Sequence, residues 1–164
     1  MCGITGLFKF ENFNDNVKTS LLLKELLKDI ENRGTDATGL SLINSKNGKF
    51  KVIKYPITAT EFIKIIDKIN FLDYNIVLAH TRQATQGNKE ENKNNHPHFN
   101  KIHNNILIHN GIVSNYEELK TQFKLNLSGD CDSEIILELF NRLNHKISKT
   151  IKKLSGYFAF GLYS

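Results

Sequence analysis

The sequence predicts a mixed α and β domain. Strand-length apolar or alternating stretches recur along the chain, and segments with apolar residues at helical spacing stand between them. Turn residues such as Gly34, Asn47-Gly48 and Gly87 punctuate the junctions. At 164 residues and 40% hydrophobic content, the chain has the length of one domain and the means to bury a core, so residues 1–164 are read as a single unit.

The elements follow in order. Residues 3–10 alternate weakly and carry β-formers, which gives a first strand almost at the N-terminus. From Val17 to about Asn32, leucines 21, 22, 23, 26 and 27 and Ile30 recur at helical spacing, and Gly34 follows as a stop. Residues 39–43 and 50–53 flank Asn47-Gly48, the pattern of a β-hairpin. Thr58-Ala59-Thr60-Glu61 reads as a capping box opening a helix through Phe62, Ile65, Ile66 and Ile69. Residues 75–80 read as a buried strand, and the polar stretch 86–100 as a long loop, hence a functional suspect. A strand over 106–109 is expected to break at Asn110-Gly111, and Ser114 to Glu117 reads as a second capping box before a short helix. Helices are expected over 133–144 and from Ile147, and the chain closes on strand-like residues 157–163, whose Tyr157, Phe158 and Phe160 read as core.

Charge and composition exclude several classes. With 22 Lys+Arg against 17 Asp+Glu, the net charge of +5 is mild, and its lysines lie among polar and apolar residues instead of in a dense basic stripe, so no nucleic-acid partner is expected. No apolar run approaches the roughly 20 residues of a membrane span. The N-terminus lacks the features of a signal peptide, and two cysteines are too few for a disulfide framework; a cytoplasmic setting is expected.

Cys2 is the most informative position. Removal of the initiator Met would leave a thiol and a free α-amine on one residue, with ordinary pKa values near ~8.5 and ~7.7–8.0. The amine then serves as base for the thiol, a nucleophile carrying its own proton acceptor. Free cysteine also packs as a small hydrophobe, so Cys2 taken alone reads as a buried bystander more often than as a nucleophile. The rest of the constellation is a glycine-bounded block at 33–39 with Arg33 and Asp36, the stretch His80 to Gly87 with Arg82 and Thr85, His96-Pro97-His98, His109-Asn110-Gly111, and Asp132-Ser133-Glu134 at a helix start.

These blocks, in this order and spacing over nearly the whole chain, resemble the class II (N-terminal nucleophile) glutamine amidotransferases, most closely the glutaminase domain of glucosamine-6-phosphate synthase. The resemblance implies two facing sheets between helical layers, a four-layer α/β/β/α sandwich. It implies that Cys2 attacks the side-chain amide of L-glutamine, and that the Asn110 side chain and Gly111 N–H form the oxyanion hole. Arg82, assisted by Thr85, would grip the substrate α-carboxylate, and Asp132 its ammonium. Arg33 and Asp36 read as structural support, and no cofactor is implied. Other readings are a non-catalytic or regulatory module on the same fold, or an N-terminal nucleophile hydrolase of another amide.

The pattern departs from the family in places. Gln83 and Gln86 stand where the synthases commonly carry an aromatic and a histidine. No acceptor region follows, so the ammonia is expected to reach a separate acceptor subunit; the strand edge near the C-terminus is expected to pair with that partner or with a second copy. His96, Pro97, His98 and His103 invite a metal reading. A His-x-His with no nearby Cys, and with Pro between, is a poor zinc signature, so no metal is expected and the loop is read as a lid or substrate-adjacent segment. Cys131 is expected to turn into the core, with a Cys2–Cys131 bridge as the alternative.

Overall fold

The computed structural model describes residues 2–10, 13 and 15–164. Its first sheet contains β1 (Gly3–Phe8), β2 (Ala37–Ile43), β3 (Phe50–Tyr55) and β4 (Ile76–Arg82) in the antiparallel order β1-β4-β2-β3. The second contains β5 (His98–Asn100), β6 (Asn105–Val113) and β7 (Gly156–Tyr163), also antiparallel, in that order. The helices are α1 (Asn16–Glu31), α2 (Ala59–Ile66), α3 (Tyr116–Phe123), α4 (Glu134–Arg142) and the short α5 (Ile147–Ile151). None of the described helices is long and apolar enough to cross a membrane.

Two cores explain the layering. Leu23 and Leu27 of α1 and Phe62 and Ile66 of α2 pack on Leu40, Leu42, Val77 and Ala79, one face of the first sheet. Leu119 of α3 and Ile135, Ile136 and Leu139 of α4 pack on Leu107 and Val113 of the second. Strand β1 and strand β4 touch β6, so the two sheets face each other between the helical layers. Because β2 is covered on both faces, all seven of its residues are buried, which is why it reads as a run without alternation.

Most expected elements are present with ends shifted by a few residues. The Thr58 capping box forms: Thr58 Oγ1 accepts from Glu61 N at 3.2 Å, and Glu61 Oε2 accepts from Thr58 N at 3.2 Å. Thr58→Ala is therefore expected to lower stability by about 1 kcal/mol in urea titration, and an unchanged midpoint would refute the role.

Three expectations need correction. The strand around residue 108 does not break at Asn110-Gly111 but runs on to Val113, because both residues pair with β7, opposite Ala159 and Phe158. The second capping box does not form. Asn115 is the N-cap of α3 without a side-chain cap bond; its side chain instead donates to Lys153 O at 2.9 Å and accepts from Ser155 N at 2.9 Å, tying down the approach to β7. The far half of the loop at 86–100 is no lid: Asn94, Asn95, His96 and His98 are buried, with Asn94 Oδ1 accepting from Asp130 N at 2.7 Å. Amide side chains satisfy this inserted backbone from within, as burial requires.

Candidate active site

Antiparallel pairing of β1 with β4 sets Gly3 opposite Thr81, which brings Cys2 to the outgoing end of β4. A side chain on Gly3 would collide there: a Cβ would sit 2.5 Å from Thr81 Oγ1 and 2.7 Å from Ile30 O, where α1 ends over the strand. Among the described residues, four hydrogen bonds then hold Cys2, the longest from its Sγ to Gln83 O at 3.6 Å. Its backbone N donates to Asn110 Oδ1 at 3.1 Å, its carbonyl accepts from Arg33 Nε at 3.1 Å, and its Sγ receives the Gln83 backbone N–H at 3.4 Å.

The thiol opens onto a cavity of about 510 Å³. Cys2, Gln83, Thr85, Asn110 and Gly111 line it together with Tyr157, Phe158 and Ala159 of β7. Asn110 is oriented by Cys2 N, a donor that demands the amide oxygen, so the Asn110 Nδ2 donors are turned away from it. Gly111 holds φ +146°, and a Cβ there would lie 2.0 Å from Tyr157 O. Gly111→Ala is expected to cost about 1–3 kcal/mol in backbone strain alone. Thermal unfolding would show it, and a variant as stable as the parent would contradict the strain.

Burial pushes the Cys2 thiol up from the ordinary cysteine range. The Gln83 backbone N–H and the Arg82 charge oppose that rise, and the Asp132 charge adds to it. The thiol is thus protonated near neutral pH and requires a base to become a nucleophile.

The expected site residues fall into three groups. Cys2, Asn110, Gly111 and Thr85 meet at the cavity. Arg82 and Asp132 do not line it. Arg82, 2% exposed, donates through Nη1 to Asn95 Oδ1 at 2.8 Å and through Nη2 to Gly87 O at 3.1 Å and to Gln86 O. Asp132, 5% exposed, accepts through Oδ2 from Val113 N at 2.7 Å. Arg33 and Asp36 brace the site from outside: Asp36 Oδ2 accepts from Ala84 N at 2.8 Å and Gln83 Nε2 at 2.9 Å, fixing the segment that contacts the thiol.

Two features escaped sequence reasoning. Gln83 acts through its backbone, which no side-chain motif can report. Tyr157, read as core, is 90% exposed, and with Phe158 it lines the cavity, because β7 has β6 on one side and no described strand on the other. The alternation around it was visible, but which face opens to solvent depends on the sheet.

Both cysteines are free, with Cys131 buried, as expected for a side chain turned inward. The interior histidines are held neutral. His80 is lowered to about 3 by burial, against the opposing pull of its 2.9 Å bond with His109 O. His109 Nδ1 meets Ser133 Oγ at 2.7 Å. These rings buttress the strand ends, in keeping with a supporting role over acid–base work.

Comparisons with known proteins agree with this architecture. A family model described as a glutamine amidotransferase domain matches residues 67–164. The glutamine–fructose-6-phosphate aminotransferases (isomerizing) of Staphylococcus aureus and Staphylococcus epidermidis are each 33% identical over 171 residues, covering 99% of this chain and 27% of theirs. The chain thus spans about a quarter of the length of those relatives. Among solved structures, the glutamine phosphoribosylpyrophosphate amidotransferase of B. subtilis, complexed with ADP and GMP, superposes with TM-score 0.69 at 23% identity, over 99% of this chain and 34% of that one. A structure described as the allosteric regulatory enzyme of purine biosynthesis gives 0.68 at 22%, over 99% and 35%. The fold, the ordered blocks and the matched family model lead to one conclusion: the chain belongs to the glutamine amidotransferase domain family.

Proposed function

We propose that this domain hydrolyses the side-chain amide of L-glutamine through Cys2, releasing glutamate and delivering ammonia to an acceptor. The observation that carries the reading is the thiol at the cavity, with the Cys2 backbone N on Asn110 Oδ1 at 3.1 Å. Removal of Met1 turns that N into an α-amine. One N–H stays on Asn110, which steers the lone pair, and the neutral amine takes the thiol proton. A new Sγ–C bond forms at the amide carbon while the oxyanion is met by Asn110 Nδ2 and Gly111 N–H. The C–N bond breaks as the proton passes to the leaving nitrogen, giving ammonia and a γ-glutamyl thioester. Water cleaves the thioester to glutamate and restores the thiol.

Arg82 suits a substrate carboxylate by its planar fork, and Asp132 suits the ammonium. Both exchange their present protein partners for substrate, with Thr85 assisting at the wall. The names of the relatives carry fructose 6-phosphate, which supports a sugar phosphate as the ammonia acceptor.

Intact mass before and after 6-diazo-5-oxo-norleucine tests the reading. The expected result is a chain lacking Met1 that gains one adduct, absent in Cys2→Ala. A processed chain that stays unlabelled and hydrolyses no glutamine, alone or with an added acceptor subunit, would overturn it in favour of a regulatory module.

A further inference from the structure

Between the sheets, the connection leading into β5 brings two imidazoles onto a thiol that is remote in sequence. One ring nitrogen each of His96 and His98 and the Sγ of Cys131 all lie within 4.8 Å of one another. The three residues are 3%, 3% and 4% exposed. Both ring nitrogens of His96, and Nε2 of His98, have no hydrogen-bond partner among the described residues. An imidazole offers a donor or a lone pair at each nitrogen, and burying these unpaired is costly, so such a ring calls for a ligand. Packing holds the rings in place: His96 stacks on His80 at 4.0 Å and meets His98 edge-on at 4.5 Å.

We infer that His96, His98 and Cys131 bind a borderline-soft divalent cation, Zn²⁺ being the best match. Imidazole and thiolate donors select such ions over Mg²⁺ or Ca²⁺, which prefer oxygen. Zinc bonds of ~2.3 Å to sulfur and ~2.0–2.1 Å to nitrogen set the donors ~3.3–3.7 Å apart in a tetrahedron, so the cluster closes by about 1 Å through side-chain rotation. Coordination replaces the thiol proton, which leaves to solvent, and gives orphaned ring nitrogens their partner.

The ion acts as a staple. Cys131 lies two residues before Ser133, the N-cap of α4, whereas His96 follows Asn95, the residue that holds the Arg82 guanidinium. The metal ties these two segments together behind the cavity. It needs no redox chemistry and does not depend on the glutaminase reading.

The test uses the full chain, expressed in zinc-supplemented medium and also refolded under reducing conditions with Zn²⁺ or Co²⁺. The expected result is one metal per chain after gel filtration, and a thiolate-to-cobalt charge-transfer band in the near ultraviolet. That band is lost in Cys131→Ser and kept in Cys2→Ser. His98→Asn, which leaves the thiol in place, is expected to lower zinc affinity at least about tenfold by chelator competition. It serves as the test if Cys131→Ser does not fold. A folded chain without stoichiometric metal in either preparation would refute the site. So would a band that survives Cys131→Ser and vanishes in Cys2→Ser, or an unchanged affinity in His98→Asn.

Discussion

Asn110→Ala is expected to lower the rate of glutamine hydrolysis by about 100–1,000-fold or more, with little change in the affinity for glutamine. That range is the usual cost of one lost oxyanion donor. Asn110 has a second task that adds to it. Its Oδ1 accepts from Cys2 N at 3.1 Å, so under the proposed removal of Met1 the variant also frees the resulting α-amine to turn away from the thiol. Asn110→Asp separates the two tasks. The aspartate keeps an oxygen for Cys2 N but has no donor for the oxyanion and sets a negative charge against it. Steady-state kinetics on the processed enzyme should therefore show both variants impaired in kcat, and labelling by 6-diazo-5-oxo-norleucine should slow in both. A rate within tenfold of the parent in either variant would remove Asn110 from the oxyanion hole.

The second large effect is on stability in acid. His80 is fully buried and lowered to about 3, whereas an unfolded histidine titrates near ~6.5. The unfolded chain therefore binds a proton in this window that the native chain does not. A group lowered in the fold contributes stability that is fully present above the unfolded pKa and lost as pH falls toward the folded one. Each pH unit in that window costs about 1.4 kcal/mol per proton, so His80 alone removes on the order of 4 kcal/mol by pH 3. Domains of this size are stable by only about 5–15 kcal/mol. Burial also lowers His109, against the opposing charge of Asp132, which adds to the same trend. Urea midpoints should fall steadily from pH 7 to 5, and His80→Asn should flatten the dependence. A midpoint constant over that range would show that the ring is not held neutral by its burial.

The family resemblance gave Asn110 and Gly111 their candidate roles, and the sequence by itself determined the alternation of strands and helices, the capping box at Thr58 and the candidacy of Cys2. These are local matters. Apolar spacing and cap chemistry are written within a few residues of where they act. The ordered blocks also carried the family resemblance, because spacing along a chain survives where side-chain packing does not.

Tertiary structure alone decided the rest. The strand through Asn110-Gly111 continues because β7 pairs with it from the far end of the chain, and long-range pairing leaves no trace in a local window. Arg82 is spoken for by Asn95, Gln86 and Gly87, an arrangement set by how one connection folds back into the interior. Gln83 reaches the thiol through its main chain, which every residue type carries. The clearest case is the histidine cluster. By sequence, His96 and His98 had no nearby cysteine and made a poor metal signature. The fold brings Cys131 within 4.8 Å of them, across more than thirty intervening residues, and only the packing of the connection into β5 against the start of α4 creates that proximity.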